Sequence, residues 1–533
     1  MQFLCRKNVK KSVLHDGMTL ELGVVDKIFS LLGKRIEKGE NETVNIILNN
    51  QTFEAKLYSN AAKARKEDQL QIRYSKEQPI SKQARAVFSD AATKLFNEKG
   101  GALKGAKVND YFDIYAINSN TYMFDCHYRL TKEEFNLCGD NFSYLAAAKS
   151  KPFLILGGFS GTGKSQKVKE LAYLTCPNLD DLQKGQDPGN YCLISVKPNW
   201  HDSTELLGYY SNIGKKYVVT DFMKILVKAM RYPLVPFYVC MDEMNLAPVE
   251  EYFAEYLSVL ESRKKDVYRV VSGALISKDV FKDEAIFDAL NLTDDNRDRE
   301  IKEELREHGL RLPQNITVIG TVNMDDTTNS FSRKVIDRAM TFETKIEDIS
   351  TASFFSLDND ALEYKNIACP ERFICKEVKV HDLLKDETPD FHLLTEEKEN
   401  HKLFTDFINE VNKAIGNGKN YDKKEGLGVS PFQVSYRVLN ETVLYYRSLK
   451  VLYPEQASFD KVFNDILMMK ILPRIEGEQD RAKAPLEGLQ QFVALRCGDD
   501  EKKKALWKDS ADKIAYMLRP FQRGGDGFTT FWQ

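Results

Sequence analysis

Residues Gly158 to Ser165 read Gly-Phe-Ser-Gly-Thr-Gly-Lys-Ser and follow directly on the apolar run Phe153-Leu-Ile-Leu156. Few eight-residue stretches constrain a fold so tightly. A glycine-rich loop of this spacing works only between a buried strand and a helix. The residues after it predict that helix over Gln166–Leu174. Glycines let successive backbone N–H groups turn inward onto phosphate oxygens, and the helix N-terminus adds positive potential. The loop therefore implies a bound nucleoside triphosphate. Gly158, Gly161 and Gly163 would form the cradle, Lys164 would reach the β- and γ-phosphates, and Ser165 would hold Mg²⁺.

At 533 residues the chain is too long for one core. From about Asp140 to Phe342 strands and helices alternate. Strands are expected at Phe153–Leu156, Tyr191–Val196, Phe237–Met241 and Ile316–Val322, with helices such as Asp221–Met230 and Val249–Glu261 between them. That pattern belongs to a parallel sheet covered on both faces. A polar excursion, Ser262 to Pro313, interrupts it, and its charged part reads as a solvated helix or a mobile insert. The first 145 residues differ. Val44–Leu48, Thr52–Tyr58, Gln69–Tyr74, Asp110–Tyr115 and Thr121–Phe124 read as strands, and Ser81–Phe96 as one amphipathic helix. Beyond Phe342 helices dominate, for example Thr405–Ile415, Tyr436–Lys450, Phe463–Ile475 and Leu486–Arg496.

Bulk properties exclude several classes. No stretch reaches the roughly 18 apolar residues of a membrane span, and the N-terminal residues lack the apolar core of a secretory leader. Nine cysteines are scattered without a Cys-x-x-Cys pair or the local His/Cys spacing of a zinc site. They fit small core residues of a protein in a reducing cytoplasm. A net charge of −3 gives no general attraction to nucleic acid, so any such binding must be local.

Two further apolar runs end in chemistry. Phe237-Tyr-Val-Cys-Met leads into Asp242 and Glu243. At the C-terminal end of a buried strand, Asp242 can reach the Mg²⁺ water shell. Glu243 is placed to polarise a water for in-line attack on a γ-phosphate. Ile316-Thr-Val-Ile-Gly-Thr-Val ends in Asn323, an amide able to position that water or sense the phosphate. Arg333 and Arg338 follow on a predicted helix and suit a role at a neighbouring subunit's nucleotide. Glu377-Val-Lys379, in a run Phe373–Val380 that reads as a strand and with Asp358 and Asp360 upstream, is the nearest match to a nuclease core. With no second strand to carry the upstream acid, it is read as chance, and the chain as not itself a nuclease.

In order and spacing these segments resemble the AAA+ superfamily, and within it the McrB-like motor subunits of modification-dependent restriction systems. Val196-Lys-Pro-Asn-Trp200 through Tyr210 is similar to that group's link after the second strand. Asp242 through Phe253 resembles its acidic strand end, and Ile319-Gly-Thr-Val-Asn323-Met-Asp-Asp326 its Met-Asn-x-x-Asp signature. Ser435 to Glu441 and Lys470 to Gly477 resemble its helical lid. The resemblance spans about Leu145 to Gly477. It implies an α/β AAA+ P-loop NTPase core (146–346) with a mainly helical lid and C-terminal region (347–533), preceded by a small α+β or β-barrel-like N-terminal domain (1–145). It implies Asp326 at the nucleotide and Arg437 at the γ-phosphate. It implies GTP rather than ATP, although Val322 stands where the signature has Met and Thr327 where Arg is common. Some relatives carry an arginine run shortly after the Asp337 position. Here that stretch is Met340-Thr-Phe-Glu, so Arg338 is the first choice for the trans-acting arginine and Arg333 the second.

The resemblance further implies a ring, hexameric in the family, a separate McrC-like nuclease subunit, and DNA, modified or plain, as the molecule read by the N-terminal domain. That domain carries 22 Lys and Arg against 18 Asp and Glu, a surplus of four. Arg73, Tyr74 and Lys76 put basic and aromatic groups beside strands, as a phosphate-contacting and base-stacking surface would. A solvated protein-binding face reads the same way. The rival expectation is a MoxR- or dynein-like ATPase that remodels a protein complex.

Overall fold

The computed structural model describes all residues except 1, 50, 61–68, 98–100, 102, 104–107, 109, 180–181, 185–186, 267–268, 325–330, 345–365, 382–397, 419–429, 523–526 and 533. The chain forms two compact units where the sequence marks three segments. The first is Met1–Gly139 with Pro177–Gln183 and Asn366–Arg372. The second is the rest, in which the α/β core and the helical C-terminal region belong together.

The first unit is built on a seven-stranded sheet: β1 (Gln2–Asn8), β2 (Gly17–Thr19), β3 (Asn41–Leu48), β4 (Gln51–Ser59), β5 (Leu70–Arg73), β6 (Tyr111–Ala116) and β7 (Thr121–His127), in the order β1-β6-β7-β3-β4-β5-β2. β3 and β7 run parallel, and the other neighbours are antiparallel. With β1 and β2 as edges the sheet is open, an α+β arrangement rather than a closed barrel. Alternation sets its buried face: Val44, Ile46 and Leu48 point inward with Leu57, Ile72, Ile114 and Phe124. Helices α1 (Leu22–Leu32), α2 (Pro79–Val87) and α3 (Ser89–Leu95) contribute Ile28, Ala84, Val87 and Leu95 to the same core. The helix expected over 81–96 is thus two. Phe88, buried and with φ −100° and ψ 48°, leaves the helical region between them. Ser89 opens the second. Helix α4 (Lys132–Cys138) begins with a capping box between Thr131 and Glu134.

The second unit holds a five-stranded parallel sheet: β8 (Phe153–Gly158), β9 (Tyr191–Ser195), β10 (Phe237–Asp242), β11 (Ile316–Asn323) and β12 (Met340–Glu343), in the order β9-β10-β11-β8-β12. Phe153 to Leu156 and Phe237 to Met241 are essentially without exposure, which is why these strands read as continuous apolar runs. Around them run α5 (Asn141–Ser150), α6 (Lys164–Thr175), α7 (Asp221–Arg231), α8 (Ala254–Glu261), α9 (Asn296–His308), α10 (Lys398–Asn417), α11 (Tyr436–Leu452), α12 (Phe459–Ile466), α13 (Ala484–Cys497) and α14 (Lys508–Leu518).

Of the two readings of the charged insert the structure shows the helix, α9, and ties it down: Asp298, 1% exposed, pairs with Arg231 of α7 at 2.7 Å through both carboxylate oxygens. Two expectations are corrected here. The helix expected over 463–475 ends at Ile466. A π-turn, Leu467–Ile471, and a 3-10 turn, Leu472–Arg474, follow, with Pro473 unable to continue the α-helical bonding. The strand expected at Phe373–Val380 is absent, and Pro370–Phe373 is a 3-10 turn. No described helix is long and apolar enough to cross a membrane.

Candidate nucleotide site

β8, β10 and β11 are neighbours, so their C-terminal ends lie side by side, where open α/β sheets place ligands. The loop leaves β8 with Gly161 at φ 78° and Gly163 at φ 73°, left-handed values that side chains rarely adopt. Gly158 is required for another reason. A Cβ there would stand 2.0 Å from Thr344 Oγ1, in a loop edge closed by the Thr344 N–H donating to Gly157 O at 2.7 Å. Lys164 opens α6. Its ammonium lies across the loop, donating to the carbonyls of Gly158 (3.0 Å) and Phe159 (2.6 Å).

Asp242 ends β10. Its Oδ1 accepts from Ser165 Oγ and from Thr321 Oγ1, the latter at 2.8 Å. Thr321 in turn accepts the Glu243 N–H at 3.0 Å. Glu243 sits at φ 53°, a left-handed conformation costly for a side-chain-bearing residue and concentrated at functional sites. That turn aims its carboxylate at Asn323, whose Nδ2 donates to Oε1 at 2.9 Å. The path between the two strands is tight: a Cβ on Gly320 would meet Met244 Sδ at 2.4 Å. Lys164, Ser165, Asp242, Glu243 and Asn323 are thus brought together as expected. Thr321 was missed. Two residues before Asn323 on one strand, it shares that residue's face, and alternation alone could have found it. Asp326 lies outside the described residues.

The donor set suits a triphosphate with magnesium. Backbone N–H groups at a helix start and an ammonium face anions. A hydroxyl and a carboxylate in contact offer the hard oxygens that Mg²⁺ takes while keeping waters.

The arginines lie elsewhere. β12 pairs with β8 in the register Met340↔Leu154 and Glu343↔Gly157. Arg338 therefore sits level with Pro152, at the N-terminal edge of the sheet. Six strand residues separate that level from the loop, about 20 Å. Its guanidinium lies 3.6 Å from Glu261 Oε1 at the end of α8. Arg437 is on the same carboxylate, 2.9 Å from Oε2, with Lys151 at 3.7 Å from Oε1. The structure thus places Arg437 at Glu261 and not beside the loop of its own chain. α11 begins at this edge, so its first turn faces Glu261 rather than the loop. Arg333 is held by Pro431 O at 3.0 Å and over the Phe432 ring.

The segment around Arg338 is fixed from behind. Lys470, fully buried in the π-turn, donates to Asp337 O (2.9 Å) and Ala339 O (2.7 Å), the carbonyls that bracket Arg338. It also pairs with Glu441 at 2.7 Å. Burial works to raise the Glu441 carboxyl, but Lys470 and Lys151 hold it below its usual value. Both residues fall in the segments that resemble a helical lid, but nothing local in the sequence signals that they pair.

Glu377 pairs with Arg447 at 2.8 Å, and against the pull of burial Arg447 and Lys149 hold its carboxyl down at about 2. Asp358 and Asp360 lie outside the described residues. In the first unit Arg73 is exposed and lies 3.6 Å over the Tyr58 ring, and Lys76 is exposed. Tyr74 is corrected as a stacking candidate: alternation turns it inward, it is 7% exposed, and its hydroxyl donates to Val13 O. Tyr58 is the aromatic partner on the outer face.

A family model described as a domain of unknown function, DUF8727, matches residues 379–527. No curated protein matches. Among solved structures, a "putative ATPase" from Cytophaga hutchinsonii is similar over 64% of this chain and 85% of that one, with 11% identity and a TM-score of 0.36. That likeness is too slight to carry an argument, and the site's own geometry is what bears on function.

Proposed function

We propose that this chain is a Mg²⁺-dependent nucleoside triphosphatase of the AAA+ kind, completed by a neighbouring copy. The observation that carries this is the convergence of Lys164 and Ser165, Asp242 and Glu243, and Asn323 at three adjacent strand ends. Bound magnesium would supply positive charge that offsets the charge of the phosphates. The loop N–H groups and Lys164 bind and orient the phosphates. Ser165 and Asp242 would hold the ion. Glu243, aimed by Asn323, takes the proton of the attacking water. Arg338, remote from its own loop, is suited to a neighbour's.

The finer reading is the DNA-recognising motor subunit of a McrBC-like restriction complex, with cleavage by a separate nuclease. It rests on the sequence resemblance and on the exposed Arg73 and Lys76 and the half-buried Tyr58 of the first unit. Phosphate release from MgGTP and MgATP, measured side by side, tests the chemistry. Hydrolysis is expected with a preference for GTP, abolished by chelating Mg²⁺ and by Lys164→Ala, which weakens binding itself. Hydrolysis of neither nucleotide would remove the triphosphatase reading, and a clear ATP preference the base assignment.

For the DNA reading, the full chain is expected to bind duplex DNA with an affinity that falls steeply with salt, because phosphate contacts release counterions. Arg73→Ala and Lys76→Ala should each weaken binding severalfold, and Lys34→Ala should not. If no duplex, methylated or plain, is bound at roughly 50 mM salt, a protein-remodelling ATPase becomes the better reading.

A further inference from the structure

The first unit contains a chain segment that arrives late in the sequence. Asn366–Arg372 packs with the N-terminal sheet, although it follows the whole α/β core. The attachment is specific. The Cys369 N–H donates to Asn49 Oδ1 at 2.7 Å, and Tyr128 donates to Ala368 O at 3.1 Å. Arg372 forms a two-pronged pair with Glu134 at 2.6 and 3.1 Å and lies 3.9 Å over the Tyr128 ring. Cys369 is held at φ 49°, a left-handed conformation in a residue that disfavours it.

That backbone turn brings the Cys369 side chain to Cys126 of β7. Among the described residues, a sulfur of Cys126, a sulfur of Cys369 and a carboxylate oxygen of Glu371 all lie within 4.8 Å of one another. All three residues are buried, Cys126 at 1% exposure and the other two at 0%. We propose that Cys126, Cys369 and Glu371 form a structural site for a thiophilic divalent cation of the zinc class, which clamps this late segment to the N-terminal sheet.

The donor set selects the metal. Two thiolates with one carboxylate suit Zn²⁺, whereas Mg²⁺ and Ca²⁺ take oxygen ligands. With metal–sulfur bonds of about 2.3 Å, the sulfurs of a tetrahedral site stand about 3.8 Å apart. The three groups are therefore within about 1 Å of coordinating distance without rearrangement of the sheet. The carboxylate can supply one oxygen or both, so four donor atoms are at hand. Binding would release the two thiol protons and leave a cluster of charge −1 beside the Arg372 guanidinium. Because Cys126 and Cys369 lie far apart in the chain, the metal would close a long loop, and cross-links of that kind restrict the unfolded chain most. The same distance hides the site from any local Cys-and-His spacing rule.

The test uses the full chain, purified without chelator. Elemental analysis should find about one zinc per chain, and Co²⁺ added to the metal-stripped protein should give the intense thiolate-to-cobalt absorption of a two-sulfur site. Cys369→Ser and Cys126→Ser should lose the zinc and the absorption, while Cys192→Ser, at a cysteine outside the cluster, retains both. Absence of zinc together with absence of the cobalt band in the wild-type chain overturns the proposal, whether or not either serine variant folds. Full zinc content in Cys369→Ser overturns it equally.

Discussion

Replacing Glu243 by Gln is expected to leave nucleotide binding near wild type and to lower turnover by about 10²–10⁴-fold, the range that positioned proton transfer contributes. The substitution isolates one property. A glutamine can sit in the same left-handed turn and still accept from Asn323 Nδ2, now 2.9 Å from Oε1, so the geometry survives. What it cannot do is take a proton from water. Lys164, on the loop after β8, and the Ser165–Asp242 pair do not bond to the Glu243 side chain and are untouched. Equilibrium binding of a fluorescent nucleotide, set beside single-turnover phosphate release, separates the two quantities. Wild-type release from Glu243→Gln would mean that the water is activated by something else.

The second large effect is expected at Arg338. Alanine there should lower turnover on the order of 10³-fold, the lower end of what an arginine supplied across an interface contributes. The variant should still fold, since Arg338 keeps a quarter of its side chain exposed and the Asp337 and Ala339 carbonyls remain bonded to Lys470. Mixing Arg338→Ala with Lys164→Ala should restore part of the activity, because each chain supplies the half-site the other lacks. Turnover by wild type that is independent of protein concentration down to monomer would exclude a shared site.

The apolar runs and the loop announced the sheet and its chemical end because both depend on local rules. A strand buried on two faces must be apolar throughout, and a phosphate cradle must be glycine-rich. The same rules place Ser165, Asp242 and Asn323 at strand ends. What was not legible depends on contacts between distant segments. Tyr74 read as a surface aromatic until pairing with β4 fixed which way β5 alternates. Arg437 read as a phosphate ligand because its helix is in the right order along the chain, but order does not say at which edge of the sheet that helix begins. Lys470 looked like one more lysine in a helix. Only the π-turn, which follows from packing and the following proline, sends it under Arg338.

Glu261 gives the sheet edge a property that neither of its arginines has alone. A carboxylate has two oxygens, and here one lies toward Arg338 and Lys151 and the other toward Arg437. Cations that share an anion are anticorrelated: whatever draws one away leaves the others more tightly held. A phosphate on an adjoining copy that claimed Arg338 would thereby deepen the seat of Arg437 at the head of the Tyr436–Leu452 helix. Occupancy next door would be felt in the helical region as an exchange of counterions, without any strand of the sheet having to shift.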